Sequence, residues 1–195
     1  MTSSPAGRGR PRDERSGAAI MKAAGELLME NGYAGLSIGA VAARAGVGKD
    51  TVYRRWSGKP ELVYEAVFTA ADTADVPDTG VLEEDLAAVV QSLIDEFSAP
   101  PAAAALPGLL ADFAATPELR ATIRSRFLRP ARERLVVVFD RAEQRGETGA
   151  DLPVDLVLDT LAGAVFFHLG IVGERPGPDL AQRIARVAAK GIEAR

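Results

Sequence analysis

The 195-residue chain has no cysteine, which excludes disulfides and thiolate zinc sites and is compatible with a reducing compartment. Histidine is nearly absent too: His168 stands alone, so a zinc site would have to lean on carboxylates. His168 falls in the most apolar stretch of the chain. It is either a general base or a hydrogen-bonded core or interface residue. No glycine-rich phosphate loop is present, since Gly146 and Gly149 are too few. The acidic groups Glu83-Glu84-Asp85 read as a solvated first turn of a helix, and Asp155/Asp159 as helix-start charge. No uninterrupted apolar run approaches about 20 residues, so no membrane span is expected. Pro5 to Ser16 lacks the apolar centre of a signal peptide. These absences predict a cytoplasmic protein that is not an enzyme and holds no metal or cofactor.

The charge that is present is unevenly placed. The net charge is −4. Residues 1–60 hold ten Lys/Arg and five Asp/Glu, a net of +5, and residues 61–195 hold thirteen and twenty-two, a net of −9. A basic head on an acidic body suggests that the head meets a polyanion.

Periodicity predicts an all-α chain. Residues 1–12 are rich in Gly, Pro, Ser and Arg and read as a flexible basic arm. A helix from Asp13 presents Ile20, Ala23, Ala24, Leu27 and Leu28 on one face, and Asn31-Gly32 stops it. Ser37 is an N-cap for a second helix, 38–45. Gly46 allows a tight turn into a third, 49–56. Lys59-Pro60-Glu61 opens a fourth, with Pro60 in the first turn where its missing N–H costs little. After a linker near residues 72–80, further helices are expected at 81–98, stopped by Pro100-Pro101, at 106–115, from 117 towards 146 with a kink or division at Pro130, at 153–172 and at 178–194.

Helices 38–45 and 49–56 joined at Gly46 make a helix-turn-helix. In that motif the second helix enters the major groove. Here it carries Lys49, Asp50, Thr51, Tyr53, Arg54 and Arg55, while Val47, Val52 and Trp56 can face a core. Asp50 could accept from a cytosine amino group or favour the helix start. In the arm, Arg8-Gly9-Arg10-Pro11-Arg12 resembles an AT-hook core for narrow A·T minor grooves. A disordered tail adding unspecific phosphate attraction is the other reading.

Residues 16–63 resemble the N-terminal domain of the TetR family. The resemblance rests on Ile20, Ala23-Ala24, Leu27-Leu28, Gly32-Tyr33, Leu36-Ser37-Ile38, Val41-Ala42, Ala45-Gly46-Val47, Thr51 through Trp56, Lys59 and Leu62. It implies a helix-turn-helix DNA-binding domain over 13–58 and a helical ligand-binding and dimerisation domain over 59–195. It implies DNA contacts from Ser37, Arg44, Lys49, Thr51, Tyr53, Arg54 and Lys59, with Arg8 and Arg10 added from the arm. Gly48 replaces a common serine, which weakens the N-cap of the third helix, and Trp56 replaces a common phenylalanine.

The body is less legible. Phe97, Phe113, Phe127 and Phe166 either line a ligand pocket or fill the core. Ala164, Phe167, His168 and Ile171 are candidates for a homodimer interface built from the last two long helices. The expected function is a sequence-specific regulator, a repressor released from a pseudo-palindromic duplex by an unknown small molecule. The alternative is a non-specific or architectural DNA-binding protein that senses nothing.

Overall fold

A computed structural model describes residues 10–68 and 75–192; side chains 10–13 are left aside. The described residues form helices and no extended strand. In order these are α1 (Arg10–Gly35), α2 (Ile38–Ala45), α3 (Lys49–Tyr53), α4 (Lys59–Phe68), α5 (Leu82–Ser98), α6 (Pro100–Ala115), α7 (Pro117–Ile123), α8 (Arg129–Gln144), α9 (Val154–Phe166) and α10 (Leu180–Ile192). Wider π-helical turns join α7 to α8 at Arg124–Leu128 and extend α9 through Phe167–Val172.

The chain divides into two compact units. One holds residues up to Val67 together with Ala104–Leu119, and the other holds Phe68–Ala103 and Arg120 onward. The first unit thus takes in α4 up to Val67 and most of α6, besides the residues expected to form the head.

Unit 1 has the core that the periodicity of α1 announces. Ile20, Ala24 and Leu28 are at most 1% exposed, and Val41, Val52, Trp56, Leu62 and Val63 of the same unit are buried with them. Each such aliphatic side chain contributes about 1.5–3 kcal/mol by leaving water. The N-terminal boundary differs from expectation. Helix already begins at Arg10, so residues 10–12 are not a non-helical arm; Arg8 lies outside the described residues. Gly32 interrupts α1 as the Asn31-Gly32 signal predicted, with φ 66 and ψ 178, a left-handed φ that costs glycine little.

Unit 2 packs α5, α8, α9 and α10 around Leu86, Val90, Val138, Leu161, Val165 and Ala185. Asp85, expected in a solvated first turn, is instead fully buried at the start of α5, where hydrogen bonds offset the loss of water. Its Oδ1 accepts from the Thr79 N–H (2.7 Å) and hydroxyl (2.9 Å), and Arg145 lies 3.7 Å from Oδ2. Glu147 caps the same helix by accepting from the Leu82 N–H at 2.7 Å. Burial would raise the Glu147 carboxyl, but the Leu82 N–H and the Arg145 guanidinium outweigh it and hold the group below its ordinary value.

Two prolines behave differently from their sequence reading. Pro100-Pro101 ends α5, yet it also opens α6, so that helix starts six residues before Leu106. First-turn positions need no N–H partner, which is why two prolines fit there. Pro130, expected to kink or divide the long helix, does not divide it: Leu128 and Arg129 keep helical backbone angles and the helix runs on through the proline. It sits in the first turn of α8, and the preceding π turn, where the Arg129 N–H reaches back to the Arg124 carbonyl, takes up the displaced bond.

Candidate nucleic-acid interface

The α2–turn–α3 pair is shaped by backbone chemistry. The Ser37 hydroxyl accepts from the Ala40 N–H at 3.2 Å and caps α2. At the other end Gly46 adopts φ 67 and ψ 32. The Val47 N–H reaches Ala42 at 3.0 Å and the Gly46 N–H reaches Ala43 at 3.2 Å. This double closure satisfies carbonyls that would otherwise be orphaned. It needs a residue that tolerates the left-handed region, and it turns the chain sharply into α3.

α3 is shorter than the expected 49–56 span. Its α-helical part covers Lys49–Tyr53, and the last turn tightens, with Arg55 and Trp56 N–H groups both bonded to the Val52 carbonyl. Gly48 gives no side-chain cap, as the missing serine implied. Val52 is 0% and Trp56 2% exposed. The indole N–H of Trp56 donates to Glu65 at 2.8 Å. The Glu61 carboxylate accepts from the Ser57 N–H at 2.6 Å and its hydroxyl at 2.7 Å. Two apolar anchors and two carboxylates therefore fix the reader from below.

Its outer face is exposed. Lys49, Tyr53 and Arg54 are exposed and Thr51 is half-exposed; Tyr53 shows 54% of its surface. Arg55 turns the other way. Its guanidinium lies against α1 at Gly17, so a side chain there would have to displace it.

Two other expected contacts are engaged within the chain. Arg44 is held in a fork by Glu30, at 2.6 and 2.8 Å. That hydrogen bond, with the charge of Arg44, keeps the Glu30 carboxyl below its ordinary value. Lys59 donates to the Tyr33 carbonyl at 3.1 Å, and its ammonium stands 4.2 Å from the Tyr33 ring centroid. Both side chains stay at the surface or partly so.

Gly39 is a close-approach position beside Lys49 that the sequence reading did not single out. It lies in the first turn of α2. A Cβ there would stand 3.1 Å from Lys49 Cε and 3.3 Å from its Nζ, with the Ser37 hydroxyl 3.9 Å away. The bare backbone lets the lysine lie over the start of α2, where N–H groups favour an anion. The signal was a glycine inside a helix, where it is weaker than alanine.

In the body, the four candidate phenylalanines do not gather. Phe97 and Phe166 meet edge to face, centroids 6.3 Å apart, and Phe68 adds a third ring 5.6 Å from Phe97. Phe127 is buried in the π turn before α8. Phe113 instead pairs with Tyr64 in unit 1, centroids 6.2 Å apart. The α9–α10 face is apolar and open. Leu156, Phe167, Ile171 and Val187 are 58–75% exposed, and His168 is half-exposed. A groove of about 620 Å³ there is lined by Leu156, Thr160, Ala164, Ile184, Val187 and Gly191, among others. The Val154–Val172 helix is long and apolar enough to cross a membrane by length and composition, although Asp155 and Asp159 interrupt it.

A short capped helix, a glycine-closed turn and a basic, exposed second helix over a buried Val/Trp anchor define a helix-turn-helix DNA-binding protein. Comparison with known proteins makes this specific. Residues 20–66 match the family model described as bacterial regulatory proteins, tetR family, and residues 76–188 match that of the tetracyclin repressor-like C-terminal domain. The HTH-type transcriptional regulator YdeS of Bacillus subtilis is 30% identical across 96% of this chain and 94% of its own. The DNA-binding transcriptional repressor TetR of Mycobacteroides abscessus is 34% identical across 80% and 83%. Among solved structures, the TetR family transcription regulator SCO0332 is 28% identical, covers 91% of this chain and 98% of its own, and superposes with a TM-score of 0.74. The fold is shared with Bacillus subtilis FadR in complex with stearoyl-CoA, at 21% identity, TM-score 0.65 and coverage of 90% and 99%. The chain belongs to the TetR family of transcriptional regulators.

Proposed function

We propose that the protein is a homodimeric repressor that reads a pseudo-palindromic duplex through α3 and releases it when a small molecule binds the body. One observation carries the reading: Lys49, Thr51, Tyr53 and Arg54 face outward from a helix whose Val52 and Trp56 are buried. Such a helix spends its apolar residues on support and its polar ones on contact. Ser37, Tyr53 and Lys59 supply phosphate contacts, Arg44 reaches backbone or base, Lys49, Thr51 and Arg54 face the groove, and Arg8 and Arg10 add attraction from the N-terminal segment. Two heads on one dimer would sit about one helical turn, or a multiple, apart.

Dimerisation is supported by the open apolar face of α9 and α10, where Ala164, Phe167, His168 and Ile171 lie. Monomers seldom leave such a patch in water. The effector is apolar in at least one part, because Phe97 and Phe166 meet in unit 2 with Phe68 beside Phe97. The long-chain acyl-CoA held by the similarly folded FadR fits this chemistry. A ligand acts only through unequal affinity for the bound and released states, and α4, Lys59 to Phe68, is one of the chain's connections between the two units through which such a difference would pass. The protein acts on DNA in the cytoplasm and has no enzymatic role.

The test is selection of bound sequences from a random duplex pool, repeated with a Tyr53→Ala/Arg54→Ala variant. A pseudo-palindromic consensus that weakens or vanishes in the variant supports the reading. Equal affinity for all sequences, with a steep salt slope, would replace it with the architectural one.

A further inference from the structure

Tyr33 is held from three directions within unit 1. It follows the left-handed Gly32 and precedes the α2 cap Ser37 by four residues, so whatever holds it also sets where α2 begins. Its hydroxyl donates to the Asp112 carboxylate of α6. Its ring lies against Gly108, one turn earlier on the same helix, so closely that a methyl there would overlap it. Residues four apart share a helix face, so one surface of α6 receives both ring and hydroxyl. Lys59 covers the ring and donates to the Tyr33 carbonyl. Burial first, and then the Asp112 hydrogen bond, hold the phenol above its ordinary range, so it stays a donor. Gly108 follows Pro107 inside α6, and both residues weaken a helix interior. The cost makes sense if the ring must approach the backbone.

We propose that Tyr33, Gly108 and Asp112 are positioning residues for operator reading: they clamp the end of α1 onto α6 and thereby fix the direction in which α2 and α3 are presented, without touching DNA. The proposal rests on the dimeric, sequence-specific reading above. Its consequence is discrimination between spacer lengths, because two rigidly presented heads accept one half-site separation and two loosely presented heads accept several.

The experiment measures full-length protein on the selected operator, on the same operator with its spacer changed by one base pair, and on an unrelated duplex. Tyr33→Phe and Asp112→Leu are expected to lower the preference for the selected spacer by about tenfold, the scale of one hydrogen bond to a charged acceptor, with non-specific affinity kept within about twofold. Asp112→Asn keeps an acceptor for the hydroxyl and is expected to keep the preference. A Tyr33→Phe protein with an unchanged spacer preference overturns the clamp while leaving the operator reading intact. So does a uniform loss on all three duplexes, which would mean only that less folded protein is present. If Tyr33→Phe does not fold, the contrast between Asp112→Asn and Asp112→Leu decides by the same ratio. A wild-type protein that selects no operator overturns the reading and the clamp together.

Discussion

Arg44 on α2 and Glu30 on α1 form a two-bond fork, 2.6 and 2.8 Å, on the surface of the DNA-binding unit. The arginine is therefore partly neutralised where a phosphate would call on it. Glu30→Gln is expected to release the guanidinium and raise operator affinity a few-fold, with a steeper salt slope, measured by titration at several salt concentrations. The same pair makes a pH prediction. Arg44 lowers the Glu30 carboxyl in the folded chain, so the pair stabilises the fold above the ordinary carboxylate value and loses that contribution as pH falls through the lowered one. The stability gap between wild type and Glu30→Gln should close on acidification; a gap that widens would contradict the fork.

Gly39 separates folding from binding. Its Cβ would meet only the flexible end of Lys49, which can move aside. Gly39→Ala is expected to stabilise the protein by roughly 0.5–1 kcal/mol, the usual gain at a helical position. It should also weaken operator binding by displacing the lysine. Thermal unfolding and binding titrations should move in opposite directions, and a variant that binds as well as wild type would remove Gly39 from the interface.

Trp56 supports α3 through its bulk and through one hydrogen bond to Glu65. Trp56→Phe keeps most of the bulk but deletes the donor. The expected loss is about 1–3 kcal/mol, the cost of removing a donor from a partly buried carboxylate. Urea unfolding with an unchanged slope would show that the loss lies in the native state.

Val187 is 75% exposed in the single chain and lines the α9–α10 groove. Val187→Glu would bury a charge in any interface formed there, which costs far more than exposing it to water. Sedimentation should then report a monomer, and operator affinity should fall with it. A variant that sediments as a dimer would move the interface to another face.

The head was legible in the sequence because local rules decided it. Ser37 caps, Gly46 closes and Pro60 opens a helix wherever such residues meet those backbones, and the α2 limits came out as expected. The α3 end was not legible: Arg54 and Arg55 suit a helix, and only the bond pattern at Val52 shows the turn tightening. The early start of α6 was hidden because Pro100-Pro101 stops one helix and starts the next with the same chemistry. The phenylalanines were least legible. Nothing local tells Phe113, which meets Tyr64, from Phe97, which meets Phe166, since such pairings are set by contacts distant in sequence. Tyr33 looked like part of a connector for the same reason, its partner Asp112 being 79 residues away.

The division of labour within α3 has a consequence for how such a protein changes over time. A five-residue helix without a side-chain cap has little stability of its own. Its shape is imposed by Val52 and Trp56 beneath it. Substitutions at Lys49, Asp50 and Tyr53 therefore fall on a scaffold anchored elsewhere, so the preferred DNA sequence can drift between lineages while the fold that carries it stays the same.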